Sequence, residues 1–243
     1  VSAAVRLIRG QAGTVVILKI VRQGAKETTD IKITRAKINV PSVLYSLKND
    51  IAYLRIMQFN DATKSEFDKD VKKLKSAGAK GVVLDLRGNP GGYLQAAVDM
   101  SSQWVDRGQV VVSQKGRYTS GADLKSNGPA ELSHLKTIVL INRGSASASE
   151  IVAGALQDYD KAVLIGEKTF GKGSVQDFEV LTDGSALKLT VAEWFTPKGI
   201  NINQSGIKPD IEFKEDWATE KVGEDKMLDK ALGLFSSTTF KWE

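Results

Sequence analysis

GVVLDLRGNPGGYLQAAVDMSSQWV, residues 81–105, contains one full period of a pattern that recurs along this chain. GVVLDL is apolar except for Asp85 and does not alternate, so it reads as a strand buried on both faces. RGNPGG then supplies turn chemistry, an Asn-Pro pair followed by two glycines. The remainder, LQAAVDMSSQWV, reads as a helix. Upstream, IAYLRI (51–56) is a strand, followed by a helix with Phe67, Val71, Leu74 and Ala77 on one face and Thr63 and Glu66 at capping-box spacing. Downstream come the strands VVVSQ (110–114) and TIVLI (137–141), the helix ASEIVAGALQ (148–157) and the strand AVLI (162–165). Strand-helix units with nearly continuous apolar strands predict an α/β fold, a mostly parallel sheet with flanking helices. ALKLTVAEWF (186–195) alternates instead, as a half-exposed strand does.

The front of the chain has another texture. VSAAVRLIRG places Val1, Val5 and Ile8 on one helical face, and TVVILKIVR (14–22) and TTDIKITRAKI (28–38) read as two strands joined by the turn-like QGAKE (23–27). Pro41, in VPS, interrupts regular pairing and marks a joint. The expected organisation is therefore a small β-rich piece over residues 1–40 and a larger domain over 41–243. Because the chain opens within a helical pattern, any targeting segment is expected upstream of residue 1.

Composition removes several chemistries. The 34 basic and 29 acidic residues give a net charge of +5 without a block of like charge, and the aromatics are scattered, so no nucleic-acid partner is expected. The absence of cysteine excludes disulfides, thiolate metal sites and a cysteine nucleophile. A single histidine, His134, precedes a buried strand and reads as a surface residue; a multi-histidine metal site is excluded, and no cofactor is expected. No apolar run is long enough to span a bilayer.

GEKTFGKGSVQ (166–176) follows an apolar strand and superficially fits a phosphate-binding loop. Gly173 stands where that pattern needs a Mg²⁺-binding hydroxyl, and SVQDFEVLTDGSALKLTV (174–191) continues as a β-hairpin, so no helix N-terminus is available for a phosphate. Lys172 needs another role. NRGSASASEIVAGALQ (142–157) offers a partner: a buried strand ends, small residues turn, and a serine stands at a helix N-terminus where free amides favour developing negative charge. Ser147 with Glu150 is also a capping box, S-x-x-E, and Ser145 and Ser149 are further candidate nucleophiles. With no histidine base, a lysine in dry surroundings could take the serine proton, since desolvation lowers its pKa. Gln176 could orient that amine, and Gly91 and Gly92 could present unobstructed backbone N–H groups to an oxyanion.

LRIMQF, DLRGNPGG, GSASASEI, IGEKTFGKGSVQ, WFTPKG and GIKPDI, in this order, resemble the C-terminal processing (tail-specific) serine peptidases, which use a Ser-Lys dyad. VRLIRGQAGTVVILKIVR (5–22) is similar to the last helix and strands of that family's PDZ domain. The resemblance implies a peptidase core of the ClpP/crotonase-like fold over residues 41–243, preceded by the C-terminal part of a PDZ domain over residues 1–40. It implies Ser147 as nucleophile, Lys172, 25 positions later (172 − 147), as general base, and Gln176 as the residue orienting it. The oxyanion hole would use the N–H groups of Gly91 or Gly92 and of Ala148. The function implied is an endopeptidase that cleaves proteins near accessible C-terminal tails. An extracytoplasmic location, with a signal or membrane anchor upstream, follows from the resemblance alone. A non-catalytic peptide- or ligand-binding member of the same fold is the alternative, and an acyl-CoA enzyme of the related crotonase-like fold would leave the lysine loop without a role.

Overall fold

The computed structural model describes residues 2–22, 27–38, 40–116, 121–214, 223–238, 240 and 242. Two compact units divide the chain, Val1–Val40 and Pro41–Glu243. In the first, a helix α1 (Ser2–Ile8) precedes β1 (Val15–Ile20) and β2 (Thr29–Thr34), which pair antiparallel from Val15↔Thr34 to Ile20↔Thr29. Arg35 donates from Nε to the Ile8 carbonyl at 2.7 Å and from Nη2 to the Leu7 carbonyl at 3.1 Å. A guanidinium thus satisfies carbonyls that the end of α1 leaves without helical partners. Val1 and residues 23–26 of the QGAKE turn lie outside the described residues.

The second unit runs β3 (Val43–Lys48), β4 (Ile51–Ile56), α2 (Thr63–Ser76), β5 (Gly81–Asp85), α3 (Leu94–Ser101), β6 (Val110–Lys115), β7 (Ala122–Lys125), β8 (Lys136–Ile141), α4 (Ala148–Asp158), β9 (Val163–Gly166), β10 (Ser174–Val180), β11 (Ala186–Phe195), β12 (Ile211–Glu212) and α5 (Lys226–Phe235). Six strands form the central sheet in the order β12-β9-β8-β5-β4-β3, parallel throughout except for the antiparallel edge pair β3–β4. Helices cover both faces. Leu54, Val82, Leu84, Val139 and Leu164 face the core that includes Phe67 of α2, Ala97 of α3 and Val152 of α4. Ile51, Val83, Ile138, Leu140 and Ile165 face a second core built on Met227, Leu228, Ala231 and Leu234 of α5. Burial on both faces is why these strands are written without alternation. A smaller antiparallel sheet, β10-β11-β6-β7, carries the hairpin that follows the lysine loop.

Two local expectations are corrected. The helix predicted through Val105 ends at Ser101, and the chain turns so that Trp104 enters the core and donates from Nε1 to Thr137 Oγ1 at 2.8 Å. Thr63 and Glu66 do not form a capping box, because the N-cap is Ala62. Asn60 Oδ1 accepts the Ala62 N–H at 2.9 Å, while Glu66 Oε2 accepts the N–H groups of Ser42 at 2.7 Å and Val43 at 3.1 Å. Glu66 is drawn to the start of the edge strand, where free amides need an acceptor.

Helix α5, which the sequence patterning did not single out, is tied to the sheet by an ionic cluster as well as by its apolar face. Arg87 donates to Asp85 (Nε–Oδ1 3.0 Å, Nη2–Oδ2 2.7 Å) and to Asp225 (Nη1–Oδ1 2.9 Å, Nη2–Oδ2 2.7 Å), and Tyr53 Oη donates to Asp85 Oδ2 at 2.7 Å. Burial and the negative charge of Asp85 push the Tyr53 phenol up from its ordinary value. Burial would raise the Asp225 carboxyl, but hydrogen bonds from Arg87 and the Leu228 N–H, with the charges of Arg87 and Arg55, hold it below its ordinary value. A depressed carboxylate stabilises the fold fully above its unfolded-state pKa of about 4, and that contribution disappears as pH falls through the native value. Denaturant unfolding of the wild type and Asp225→Ser should therefore differ by a constant amount from about pH 5 to 7, and the difference should shrink on acidification below about pH 4.

Candidate active site

The carboxyl ends of β5, β8 and β9 deliver three connections to one edge of the sheet. After β8, the Ser145 N–H donates to the Asn142 carbonyl at 2.9 Å, and the Asn142 N–H donates to Ser145 Oγ at 3.0 Å. The chain then enters α4 through Ser147, whose φ of 54° and ψ of −115° lie where glycine is favoured. Such a conformation costs of order 1–3 kcal/mol and persists only when its surroundings enforce it. The Ser147–Glu150 capping box is present, with the Ser147 N–H donating to Glu150 Oε2 at 2.8 Å. Capping alone does not call for this backbone, because an N-cap serine ordinarily lies in the extended region. A strained strand-to-helix turn is instead the way a nucleophile is lifted clear of its sheet.

The other two serines have structural partners. Ser145 and Ser149 are fully buried, and their hydroxyls donate to the Leu86 carbonyl at 2.8 Å and the Asn89 carbonyl at 3.1 Å. They stitch the serine turn to the RGNPGG turn, while Ser147 is half-buried and retains access to solvent.

Asn89 organises that second turn. Its side-chain amide donates to the Ile56 carbonyl at 2.8 Å, its Oδ1 accepts the Gly91 N–H at 2.9 Å, and its carbonyl accepts the Ala146 N–H at 3.0 Å. Gly91 has φ 98°, and a Cβ there would lie 2.7 Å from both the Ala146 carbonyl oxygen and Ser147 Cβ and 2.9 Å from the Ala148 nitrogen. At Gly92, φ is 142° and a Cβ would lie 1.9 Å from the Phe59 carbonyl oxygen. Backbone packing as well as turn geometry therefore requires both glycines. Of the two glycines, Gly91 has its N–H engaged by Asn89. Among the described residues, the Gly92 and Ala148 N–H groups have no hydrogen-bond acceptor.

The lysine loop joins these turns through Glu150, which sequence patterning identified only as half of a cap. This fully buried carboxylate accepts four hydrogen bonds: Thr169 Oγ1 (2.5 Å) and the Gly171 N–H (2.6 Å) on Oε1, and the N–H groups of Ser147 and Lys172 (both 2.8 Å) on Oε2. Its negative charge also sits in the first turn of α4, where the helix dipole favours it. The Phe170 N–H donates to the Ser145 carbonyl at 3.0 Å, completing the attachment. The sequence signal for this hub was an acid at the third position of α4, at capping-box spacing from Ser147 and followed by the apolar, small-residue run 151–156.

The dry surroundings in which a lysine could act as base are not formed around Lys172 by the described residues. The backbone of the loop is held, but the Lys172 side chain is exposed and, among the described residues, no hydrogen bond joins it to Ser147. Gly171 and Gly173 abut residues 202–204: a Cβ on Gly173 would lie 2.1 Å from the Asn203 nitrogen, and one on Gly171 3.0 Å from the Gln204 carbonyl carbon. These contacts bury the glycines and leave the lysine side chain in solvent. Gln176 is also exposed and pairs with Thr190 across a register irregularity in the β10–β11 hairpin. His134 is exposed ahead of β8.

The model for Peptidase family S41 matches residues 50–213, which span both turns, Glu150 and the lysine loop. This chain belongs to peptidase family S41. It is 44% identical over 210 residues to a probable CtpA-like serine protease of Staphylococcus haemolyticus (strain JCSC1435), covering 86% of this chain and 42% of that protein. A probable CtpA-like serine protease of Staphylococcus aureus (strain COL) is 43% identical over 208 residues, covering 85% of this chain and 42% of that protein. The chain thus spans less than half the length of these curated relatives. The solved structure of a photosystem II D1 C-terminal processing protease superposes with a TM-score of 0.70 at 33% identity, covering 84% of this chain and 57% of that one. The mixed α/β fold with its mostly parallel sheet and flanking helices is the fold of these S41 neighbours.

Glu150→Gln should separate the turns that the carboxylate joins, because an amide places its own donor against two of the four donors. The expected result is a loss of stability of about 1–3 kcal/mol in denaturant unfolding. Exchange of the Gly171 and Lys172 amides with deuterium should accelerate in the same variant.

Proposed function

We propose that this chain is the core of a serine endopeptidase cleaving polypeptides near their C-terminal tails through a Ser147–Lys172 dyad. The observation that carries this reading is the strained Ser147 at the head of α4, in contact with Gly91 and joined by Glu150 to the lysine loop. The names of its S41 relatives, CtpA-like serine proteases and a D1 C-terminal processing protease, support the same assignment of substrate class. The 1–40 unit is, on this reading, the end of a PDZ domain, and an extracytoplasmic location with an upstream signal or anchor accompanies the assignment.

In the reaction, the Lys172 side chain turns from solvent toward Ser147 as a bound polypeptide excludes water, which favours the neutral amine. Neutral Lys172 takes the Ser147 hydroxyl proton while Oγ forms a bond to the scissile carbonyl carbon. The Gly92 and Ala148 N–H groups stabilise the resulting oxyanion. Collapse breaks the C–N bond, and the lysine ammonium transfers its proton to the leaving amine. Lys172 next deprotonates a water that attacks the acyl-enzyme, releasing the new carboxylate and returning the proton to Ser147. Gln176 aims the lysine from the start of the hairpin.

The exposed Lys172 side chain, which no hydrogen bond joins to Ser147 among the described residues, favours one competing reading, a peptide-binding member of the family that does not cleave. A reporter protein with an unstructured apolar C-terminal tail, together with a fluorophosphonate probe, separates the two. Cleavage and probe labelling by the wild type are expected, with kcat reduced by about 10⁴-fold or more in Ser147→Ala and Lys172→Ala while both stay folded. Lys172→Arg should be as inactive as the alanine variant, since arginine does not surrender its proton. Unchanged activity in either alanine variant would refute the dyad, and tail binding without cleavage or labelling by the wild type would establish the competing reading.

A further inference from the structure

We propose that Asp225, at the N-terminus of α5, is a positioning residue for the reaction assigned above: through Arg87 it fixes the root of the 87–92 turn and hence the Gly92 amide. The inference rests on the proposed peptidase function for its catalytic consequence, but its structural claim stands apart from it. Asp225 lies outside the 50–213 stretch that carries the family match.

Arg87 opens this turn, two residues beyond the end of β5, and it is almost wholly buried. Its pairing with Asp85 spans two positions, so it restrains the guanidinium only against its own strand. Asp225, 138 positions away, accepts from Nη1 and Nη2 of the same guanidinium with two bonds of 2.9 and 2.7 Å. A bidentate pair of this kind is directional and sets register. The apolar attachment of α5 includes Met227, Leu228, Ala231 and Leu234, with Leu232 and Phe235 packed beside them, contacts that do not by themselves fix position along the helix axis. Asp225 also accepts the Leu228 N–H at 2.9 Å as the N-cap of α5. One carboxylate therefore joins the start of a helix to the start of a catalytic turn.

The turn has little slack to absorb movement at its root. Gly91 and Gly92 already approach Ser147 and Phe59 so closely that even a Cβ would collide, at 2.7 and 1.9 Å. An oxyanion donor acts over a narrow range of distance, so a small displacement of the Gly92 N–H lowers the rate of acylation more than it weakens substrate binding.

Asp225→Ser and Asp225→Asn test this, because both retain an N-cap for α5 and neither can hold the guanidinium as a carboxylate does. The expected outcome for Asp225→Ser is a fall in kcat of about tenfold with KM kept within about twofold, and an equal fall in the rate of fluorophosphonate labelling at Ser147. Deuterium exchange across residues 86–93 should accelerate, while residues 63–76 of α2 and 226–235 of α5 exchange as in the wild type. Asp225→Asn, which keeps one acceptor for Arg87, should fall between the wild type and the serine variant. Unchanged exchange across 86–93 with unchanged kcat, or acceleration confined to α5, would overturn the inference. The exchange measurement needs no turnover, so it decides the positioning claim even if the wild type neither cleaves nor is labelled, an outcome that would refute the proposed function instead.

Discussion

A single carboxylate, that of Glu150, accepts donors from the serine turn, the lysine loop and the threonine that precedes it, and the site exists because all of them converge on it. A buried ion is stable only when its hydration is replaced in full. Here the replacement is three backbone N–H groups and one hydroxyl, with the dipole of α4 adding to them. The same requirement works in reverse: satisfying Glu150 obliges Ser147, Gly171 and Lys172 to come together. The strain at Ser147 is thus maintained by a local demand for hydrogen bonds and not by side-chain packing alone.

The sheet makes that convergence possible. Parallel strands all end at the same edge, so the connections after β5, β8 and β9 become neighbours although they are distant in sequence. Sites in such folds form outside the carboxyl ends of the strands for this reason. Each connection is further adapted to close approach, through glycines where backbone meets backbone and through buried Ser145, Ser149 and Asn89 where polar groups must be matched. Membership of peptidase family S41 places the same core, from residue 50 to residue 213, within a set of proteins whose named members include serine proteases.

Legibility varied with how local the deciding physics was. GVVLDL and TIVLI were readable as buried strands because burial on both faces suppresses alternation. The hairpin after Lys172 was readable because its alternation and Asp-Gly turn are local. The capping box at Thr63 failed because Glu66 found better-placed amides at the start of β3, a contact no spacing rule contains. The glycine pair 91–92 was visible in the turn chemistry, but that Asn89 Oδ1 accepts the Gly91 N–H is a contact that turn chemistry does not specify. Helix α5 was not singled out although its signals are local, an Asp225 N-cap and the apolar Met227, Leu228, Ala231 and Leu234 at helical spacing; its place against Arg87 is what no local pattern contains.

The sequence by itself determined the alternation of strands and helices, the absence of cysteine and multi-histidine chemistry, and the short list of groups able to act, namely three serines, one lysine loop and a pair of glycines. These follow from periodicity, composition and turn chemistry, which are properties of neighbouring residues. Only the tertiary structure decided that Ser145 and Ser149 are fastened while Ser147 is strained and accessible, that among the described residues Gly91 and not Gly92 has an acceptor for its amide, and that the Lys172 side chain rests in solvent. Those outcomes depend on which distant donor reaches which buried acceptor, and that competition is settled when the chain packs.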